Sequence, residues 1–95
     1  MMKKTALTLI LVAMASTAQA ACYADYKAKR DNPLKLHYGV IELPDDACDN
    51  RKAARRQISD RLETNGWSLL KVQSIFDATG LEERKDSAGK FFLRY

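Results

Sequence analysis

The sequence predicts a small α+β domain of the β-α-β-β type, with one helix packed on a sheet of three or four strands and a signal helix in front. Two segments, 34–43 and 67–76, are rich in β-branched and aromatic residues, as strands are. The segment between them, 49–65, repeats apolar residues every four positions, which is typical of a helix with one buried face. Residues 90–95 (KFFLRY) are expected to form the last strand.

The first 20 residues have the three parts of a cleavable secretory signal. Residues 1–4 (MMKK) are basic, residues 6–15 are almost entirely apolar, and residues 18–20 (AQA) place small side chains before a cut at Ala21. This apolar run is shorter than the roughly 20 residues that a stable membrane span needs. The sequence therefore predicts one mature domain, 21–95, located in the periplasm or secreted, with no stable membrane span after cleavage.

Cleavage also changes the charge of the chain. The 16 Lys and Arg residues against 12 Asp and Glu become 14 against 12 once Lys3 and Lys4 are removed, which leaves a net charge of +2. Nucleic-acid binding normally requires a strongly basic domain, so nucleic acid is not predicted as a partner. A hydrophobic core alone gives so small a domain only marginal stability, and a covalent cross-link helps.

Cys22 and Cys48 are the only two cysteines, and an even count in a small exported chain predicts a disulfide. Closing a loop of roughly 27 residues should stabilise the fold by about 3–4 kcal/mol. Three alternatives remain open: free thiols, lipidation of Cys22 after the small residues that precede it, or a metal site with His37. Two cysteines and one histidine at irregular spacing are a poor zinc signature, so no metal or cofactor is predicted.

The mature chain begins with residues 22–30, which fit either a strand or a short helix. Residues 31–33 (DNP) predict a turn, because proline fixes its own φ and disfavours helix at the residue before it. In the strand that follows, Leu36, Tyr38 and Val40 share one face, and the odd-numbered residues 37–43 share the other.

The helix predicted at 49–65 has recognisable ends. Asp49 or Asn50 can cap its start, and Gly66 can end it in the left-handed conformation. The next strand runs to Phe76. Residues 77–89 are polar and predict a loop, with a helical turn around 81–85.

Four cations in the first half of this helix are candidates for binding an anionic surface such as lipopolysaccharide, phospholipid or cell-wall acid: Arg51, Lys52, Arg55 and Arg56. Arg61 adds a fifth positive charge further along. The alternative interpretation is a solvated helix face with local ion pairs.

A second candidate surface follows from the strand at 67–76. Strict alternation places two sets of large side chains on opposite faces: Leu70, Val72 and Phe76 on one, and Trp67, Leu69 and Ile75 on the other. One helix covers only one face of a sheet. Either the N-terminal segment with Tyr23 and Tyr26 covers the second face, or Trp67, Leu69 and Ile75 form an interface with a second copy or an envelope protein.

No catalytic residues are predicted. His37, the only histidine, is interpreted as a hydrogen-bonded structural residue beside Tyr38. Asp45, Asp46 and Asp49 lack the ligand spacing of a calcium loop. The common motifs of hydrolases, zinc proteases and phosphate loops are missing from the sequence.

Residues 65–72 (NGWSLLKV) lead from a helix end into a strand, and this pattern resembles small exported proteobacterial α+β proteins without an assigned function. The segments 22–29, 36–40 and 92–95 are similar to segments of the same proteins. A weaker resemblance is to half of the sporulation-related repeat that binds peptidoglycan, although this chain lacks that repeat's second long helix after Phe76. Neither resemblance implies an activity.

Together these features predict a non-enzymatic exported domain that acts by protein interaction or as an accessory subunit. The alternative function is an envelope-binding module that holds an anionic polymer or lipid on the basic helix face.

Overall fold

The computed structural model describes residues 22–95, and the predicted signal at 1–20 lies outside the described residues. The described chain is an α+β domain, as predicted, with a three-stranded antiparallel sheet and two helices. In chain order the elements are β1 (Cys22–Arg30), β2 (Lys35–Leu43), α1 (Arg51–Thr64), β3 (Ser68–Phe76) and α2 (Glu82–Ala88). The strands are arranged in the order β2-β1-β3.

β1 is the central strand and pairs antiparallel with both neighbours. Its Ala24, Tyr26 and Ala28 are fully buried on the face toward α1, here called the first face. The small alanines on this face give the helix room to approach the sheet. The expectation that this segment covers the second face is therefore wrong: Tyr26 belongs to the core, and Tyr23 stacks on Phe76 on the opposite side.

α1 forms as its sequence pattern predicts. The Asn50 side chain accepts a hydrogen bond from the Ala53 amide at 3.0 Å and caps the first turn. Ala54, Ile58 and Leu62 are fully buried against the first face of the sheet. Gly66, at φ 84°, reverses the chain into β3 as expected.

β3 contains two irregularities that change which side chains share a face. Its pairing with β1 shifts by one residue at two places, so that Gln73 and Leu70 are extra residues in β3. Leu69, Val72 and Ile75 consequently all pack toward the first face. The predicted strict alternation in this strand is wrong for that reason.

The second face is covered in part by α2, which is longer than the predicted helical turn. Arg84 of α2 lies over the Phe76 ring, with its guanidinium carbon 3.8 Å from the ring centroid. The helix begins after a 3-10 turn at Ala78–Gly80. It ends at Gly89, whose φ of 55° turns the chain toward β2.

The predicted terminal strand at 90–95 is wrong. A 3-10 helix covers Gly89–Phe91, and it is followed by an isolated parallel bridge between Val40 and Phe92. The Leu93 amide donates to the Val40 carbonyl at 2.8 Å, and Leu93 itself has a φ of 55°. These bends carry the chain around the outer edge of β2 and bring Phe91 and Tyr95 against the first face.

Cys22 and Cys48 form the predicted disulfide, with a Cα–Cα distance of 6.0 Å. It links the start of β1 to the segment before α1 across 26 residues, which corresponds to about 3.5 kcal/mol of chain-entropy stabilisation. Both sulfurs are in the bond, so neither is left for lipidation or a metal. The disulfide fits a location outside the cytoplasm. Within residues 22–95, no helix has the length and hydropathy needed to cross a membrane.

Candidate functional site

Asp25 is the centre of a polar cluster that fixes α2 to the second face. Its carboxylate accepts from Ser74 Oγ at 2.6 Å, from Tyr38 Oη at 2.7 Å and from Arg84 Nε at 3.1 Å. Burial alone would raise the pKa of Asp25, but these three hydrogen bonds and the Arg84 charge hold it below its ordinary value. The ionised carboxylate therefore anchors the helix to the sheet.

Beyond this cluster, toward the β1–β2 turn, the second face is open. A groove of about 250 Å³ lies there and is called the open groove below; its lining consists of Lys27, Ala28, Leu36, His37, Tyr38 and Leu70. Leu36 is 65% exposed and Leu70 is 45% exposed, and Leu34 in the adjacent turn is 63% exposed. Full burial of one leucine side chain is worth roughly 1.5–3 kcal/mol, so this surface would gain considerably from a covering molecule.

The open groove is cationic as well as apolar. Lys27 lies directly opposite Lys71 across the β1–β3 pair, and both side chains are exposed. Like charges in such cross-strand positions destabilise a sheet. Lys29 is neutralised by Asp31 at 2.9 Å, but no carboxylate lines the groove itself. Its surface is therefore complementary to a molecule with both apolar and acidic groups.

The edge of the sheet next to Leu70 has no strand partner within the described chain, since β3 ends the strand order. Arg51 of α1 donates from Nη2 to the Val72 carbonyl at 2.7 Å and occupies one position near this edge. An extended segment bound beside Leu70 would lie along β3, which is the geometry of strand addition to a sheet.

Tyr38 connects the groove to the polar cluster. Burial and its bond to Asp25 raise the pKa of this phenol to about 12, so the hydroxyl remains a hydrogen-bond donor. It is held in place and is not poised to release a proton.

His37 lies on the first face, where only 8% of it is exposed. Its Nε2 is 2.9 Å from the Tyr26 hydroxyl, and its ring stacks on Phe91 with 3.7 Å between centroids. Burial and the charge of Arg30 lower the pKa of His37 to about 4, which keeps the imidazole neutral. It has no carboxylate partner among residues 22–95, and Nδ1 is buried without a hydrogen bond there. The histidine is a core residue of an aromatic cluster, as its sequence context predicted.

The predicted interface residues do not lie on an open surface. Trp67 is only 6% exposed, and Leu69 and Ile75 are partly buried against the core. These three side chains lie on one side of the sheet, as predicted, but that side is the first face, which α1 covers, and the two β3 bulges bring Val72 to the same face. The exposed large apolar side chains among residues 22–95 include Leu36 and Leu70, which the sequence did not single out as an interface, together with Leu34 and Leu93.

The basic residues of α1 divide into two groups. Arg51 bonds to β3 as described, and Arg61 donates from Nη2 to the Glu42 carbonyl at 2.7 Å, so both are used within the fold. Lys52, Arg55 and Arg56 are exposed, and none of them takes part in an ion pair within the described range. These three cations form the basic helix patch.

Comparisons of the chain with protein families, with curated proteins and with solved structures find no match. The resemblance to small exported proteobacterial proteins therefore stays a prediction.

Proposed function

We propose that this chain is an exported, non-enzymatic interaction domain that works as an accessory subunit of a periplasmic or envelope protein. The observation that carries the proposal is the exposure of Leu36 and Leu70 around one groove on the second face, beside the exposed Leu34. Contiguous exposed apolar surface of this kind marks interaction sites. The disulfide supports the extracytoplasmic setting.

The chemistry of the groove favours a partner of a different kind over a second copy of this chain. A symmetric dimer through this face would bring Lys27 and Lys71 of both copies into one interface, and the lining of the groove offers no carboxylate to neutralise them. An extended segment with apolar side chains and carboxylates would cover the leucines and neutralise the lysines. It could also pair with the outer side of β3.

The non-enzymatic part of the proposal is supported by the surroundings of the titratable groups. The buried His37 is neutral and has no orienting carboxylate among residues 22–95, and Asp25 is ionised and held by three donors. A nucleophile activated by a hydrogen-bonded base would need a different arrangement of these groups.

Site-specific photo-crosslinking tests the proposal in the organism that produces the chain. A photoreactive amino acid replaces Leu70 in one variant and Asp60, an exposed residue on α1, in a matched control. We expect one defined protein adduct at position 70 that is absent at position 60. No adduct at position 70, or the same adducts at both positions, would contradict the proposal.

A second candidate function is envelope binding through the basic helix patch. The supporting observation is the lack of ion-pair partners for Lys52, Arg55 and Arg56 within residues 22–95. Reversing the charge in an Arg55→Glu, Arg56→Glu variant should release the protein from isolated envelopes, while Leu70→Ser should not. Unchanged retention of the double variant would exclude this function.

A further inference from the structure

A second pocket lies beside His37 on the first face, where the C-terminal residues meet the end of β1. It has a volume of about 170 Å³. Its lining consists of three cations and three aromatic residues, here called the cation–aromatic pocket: Arg30, Lys90, Arg94, Trp67, Phe91 and Tyr95. No acidic side chain belongs to this lining, which distinguishes the pocket from an ordinary surface ion-pair network.

Each cation of the pocket lies against an aromatic ring. The guanidinium carbon of Arg30 is 4.1 Å from the centroid of Trp67, and Lys90 Nζ is 5.6 Å from that of Phe91. Arg94 is placed similarly over Tyr95, at 5.8 Å. Cation–π contacts hold a charged group in position without neutralising it. The three positive charges are therefore retained at the pocket.

The aromatic rings that hold these cations are themselves fixed by the core. Phe91 stacks on His37, and Trp67 meets the same imidazole edge-on with 4.3 Å between centroids. Trp67 is almost fully buried. A ligand would thus meet cations that are already in place, which reduces the entropy lost on binding.

The cations of the pocket take part in no ion pair within residues 22–95. The ion pairs formed within residues 22–95 join Lys29 to Asp31, and Arg84 to Asp25 and Glu83. None involves a cation of the pocket. Three like charges around a small volume repel one another, so an anion with more than one negative charge would relieve the repulsion.

We propose that the cation–aromatic pocket binds a phosphate monoester group. Guanidinium groups match phosphate oxygens with paired hydrogen bonds, and lysine adds a compact positive charge. A phosphate monoester approaches two negative charges near neutral pH, which suits three cations better than a single carboxylate does. Arg30 covers one face of Trp67 and His37 covers one face of Phe91, so the pocket offers charge more than open ring surface.

This site is independent of the proposed protein interaction. The open groove lies on the second face, and the cation–aromatic pocket lies on the first face beside α1. It is also separate from the basic helix patch, since the two share no residue. A chain that failed to bind a partner in the groove could still bind phosphate.

Trp67 lines the pocket and is the only tryptophan of the chain, so its fluorescence can report binding. The fluorescence of the mature protein is titrated with glycerol 3-phosphate, with sodium chloride at equal ionic strength as the reference. We expect a saturable change with the phosphate ester that chloride does not produce. A response that chloride reproduces, or that acetate produces at the same concentrations, would overturn the assignment.

A charge-matched pair of variants locates the binding. Lys90→Gln removes one pocket cation from an exposed position, and Lys85→Gln removes one charge from an exposed position of α2 that belongs to none of the candidate sites. We expect the first variant to bind glycerol 3-phosphate about tenfold more weakly, because it loses a hydrogen bond between charged groups. The second should bind like the natural chain. Equal losses in both variants, with folding verified by circular dichroism, would overturn the proposal.

The source of the phosphate group is distinguished by a parallel titration with vesicles that contain phosphatidic acid, compared with phosphatidylcholine alone. A saturable response to the soluble ester assigns the pocket to soluble phosphates, and a response confined to phosphatidic acid vesicles assigns it to lipid headgroups. Both results support a phosphate monoester site. The absence of a response to either probe would refute it.

Discussion

Acid should destabilise this domain chiefly through His37, the only histidine of the chain. In the folded protein its pKa is lowered from the ordinary 6.5 to about 4, because the ring is buried and Arg30 adds a positive charge nearby. An imidazolium there would lie among Tyr26, Phe91 and Trp67 without a carboxylate to neutralise it. Protonation of the His37 imidazole is therefore less favourable in the folded state than in the unfolded chain.

The sign and size of the effect follow from the two pKa values. Above pH 6.5 the imidazole is neutral in both states, and the free energy of unfolding does not depend on it. As the pH falls from 6.5 to about 4, only the unfolded chain gains the proton, so stability is lost progressively. The difference between the two pKa values corresponds to about 3 kcal/mol, a large share of the stability of a small domain.

Urea unfolding at a series of pH values, followed by Trp67 fluorescence, measures this loss. The control is His37→Gln, whose side-chain amide can still accept a hydrogen bond from Tyr26 but cannot be protonated in this range. Asp25 does not cause the loss of stability between pH 6.5 and 4. Its pKa lies below the ordinary 3.8, so the stability that its ionised carboxylate provides is lost only in stronger acid. A natural chain with constant stability from pH 6.5 to 4, or a variant with the same loss, would refute the reasoning.

Three further substitutions or treatments have expected results, each measured by urea unfolding at neutral pH. Gly39→Ala should cost about 1–3 kcal/mol, since a Cβ there would lie 2.8 Å from Cε1 of the Tyr26 ring; an unchanged midpoint would contradict this close contact. Arg84→Gln should cost about 3 kcal/mol because it leaves the buried Asp25 carboxylate without its cation, and adding Asp25→Asn should recover part of the loss. Reduction of the disulfide should cost about 3.5 kcal/mol, and an equal midpoint with and without reductant would show that the cross-link contributes nothing.

The parts of the fold that depend on local sequence were predictable. The four-residue spacing of Ala54, Ile58 and Leu62, the Asn50 cap and the left-handed Gly66 all act within one element, and the structure confirms each of them. The disulfide was predictable from the even count of cysteines in a small chain that carries an export signal. These features need no knowledge of which strands pair.

The parts that depend on pairing were not predictable. A bulge adds one residue to a strand and reverses the faces beyond it, and nothing in residues 67–76 marks Leu70 and Gln73 as the extra ones. The aromatic content of residues 90–95 is typical of a strand, yet the chain bends at Leu93 and wraps around β2. Side chains in such segments take their environment from tertiary contacts.

The candidate sites, like the fold, were predictable only where they depend on local sequence. The helix cations could be named from the sequence, although Arg51 turned out to bond to β3. The open groove was missed because its two leucines come from strands whose register was unknown. The cation–aromatic pocket had a partial signal in Lys90-Phe91 and Arg94-Tyr95, where a cation precedes an aromatic residue twice, but the contribution of Arg30 required the folded chain.

The mass of the adduct that a photoreactive group at position 70 forms shows most directly whether the open groove binds a different protein. We expect one adduct in which the mature chain is joined to an unrelated protein, with the attachment mapped to a segment of that protein that contains both acidic and apolar side chains. An adduct of two copies of this chain, or no adduct in cells where the protein is abundant, would contradict it.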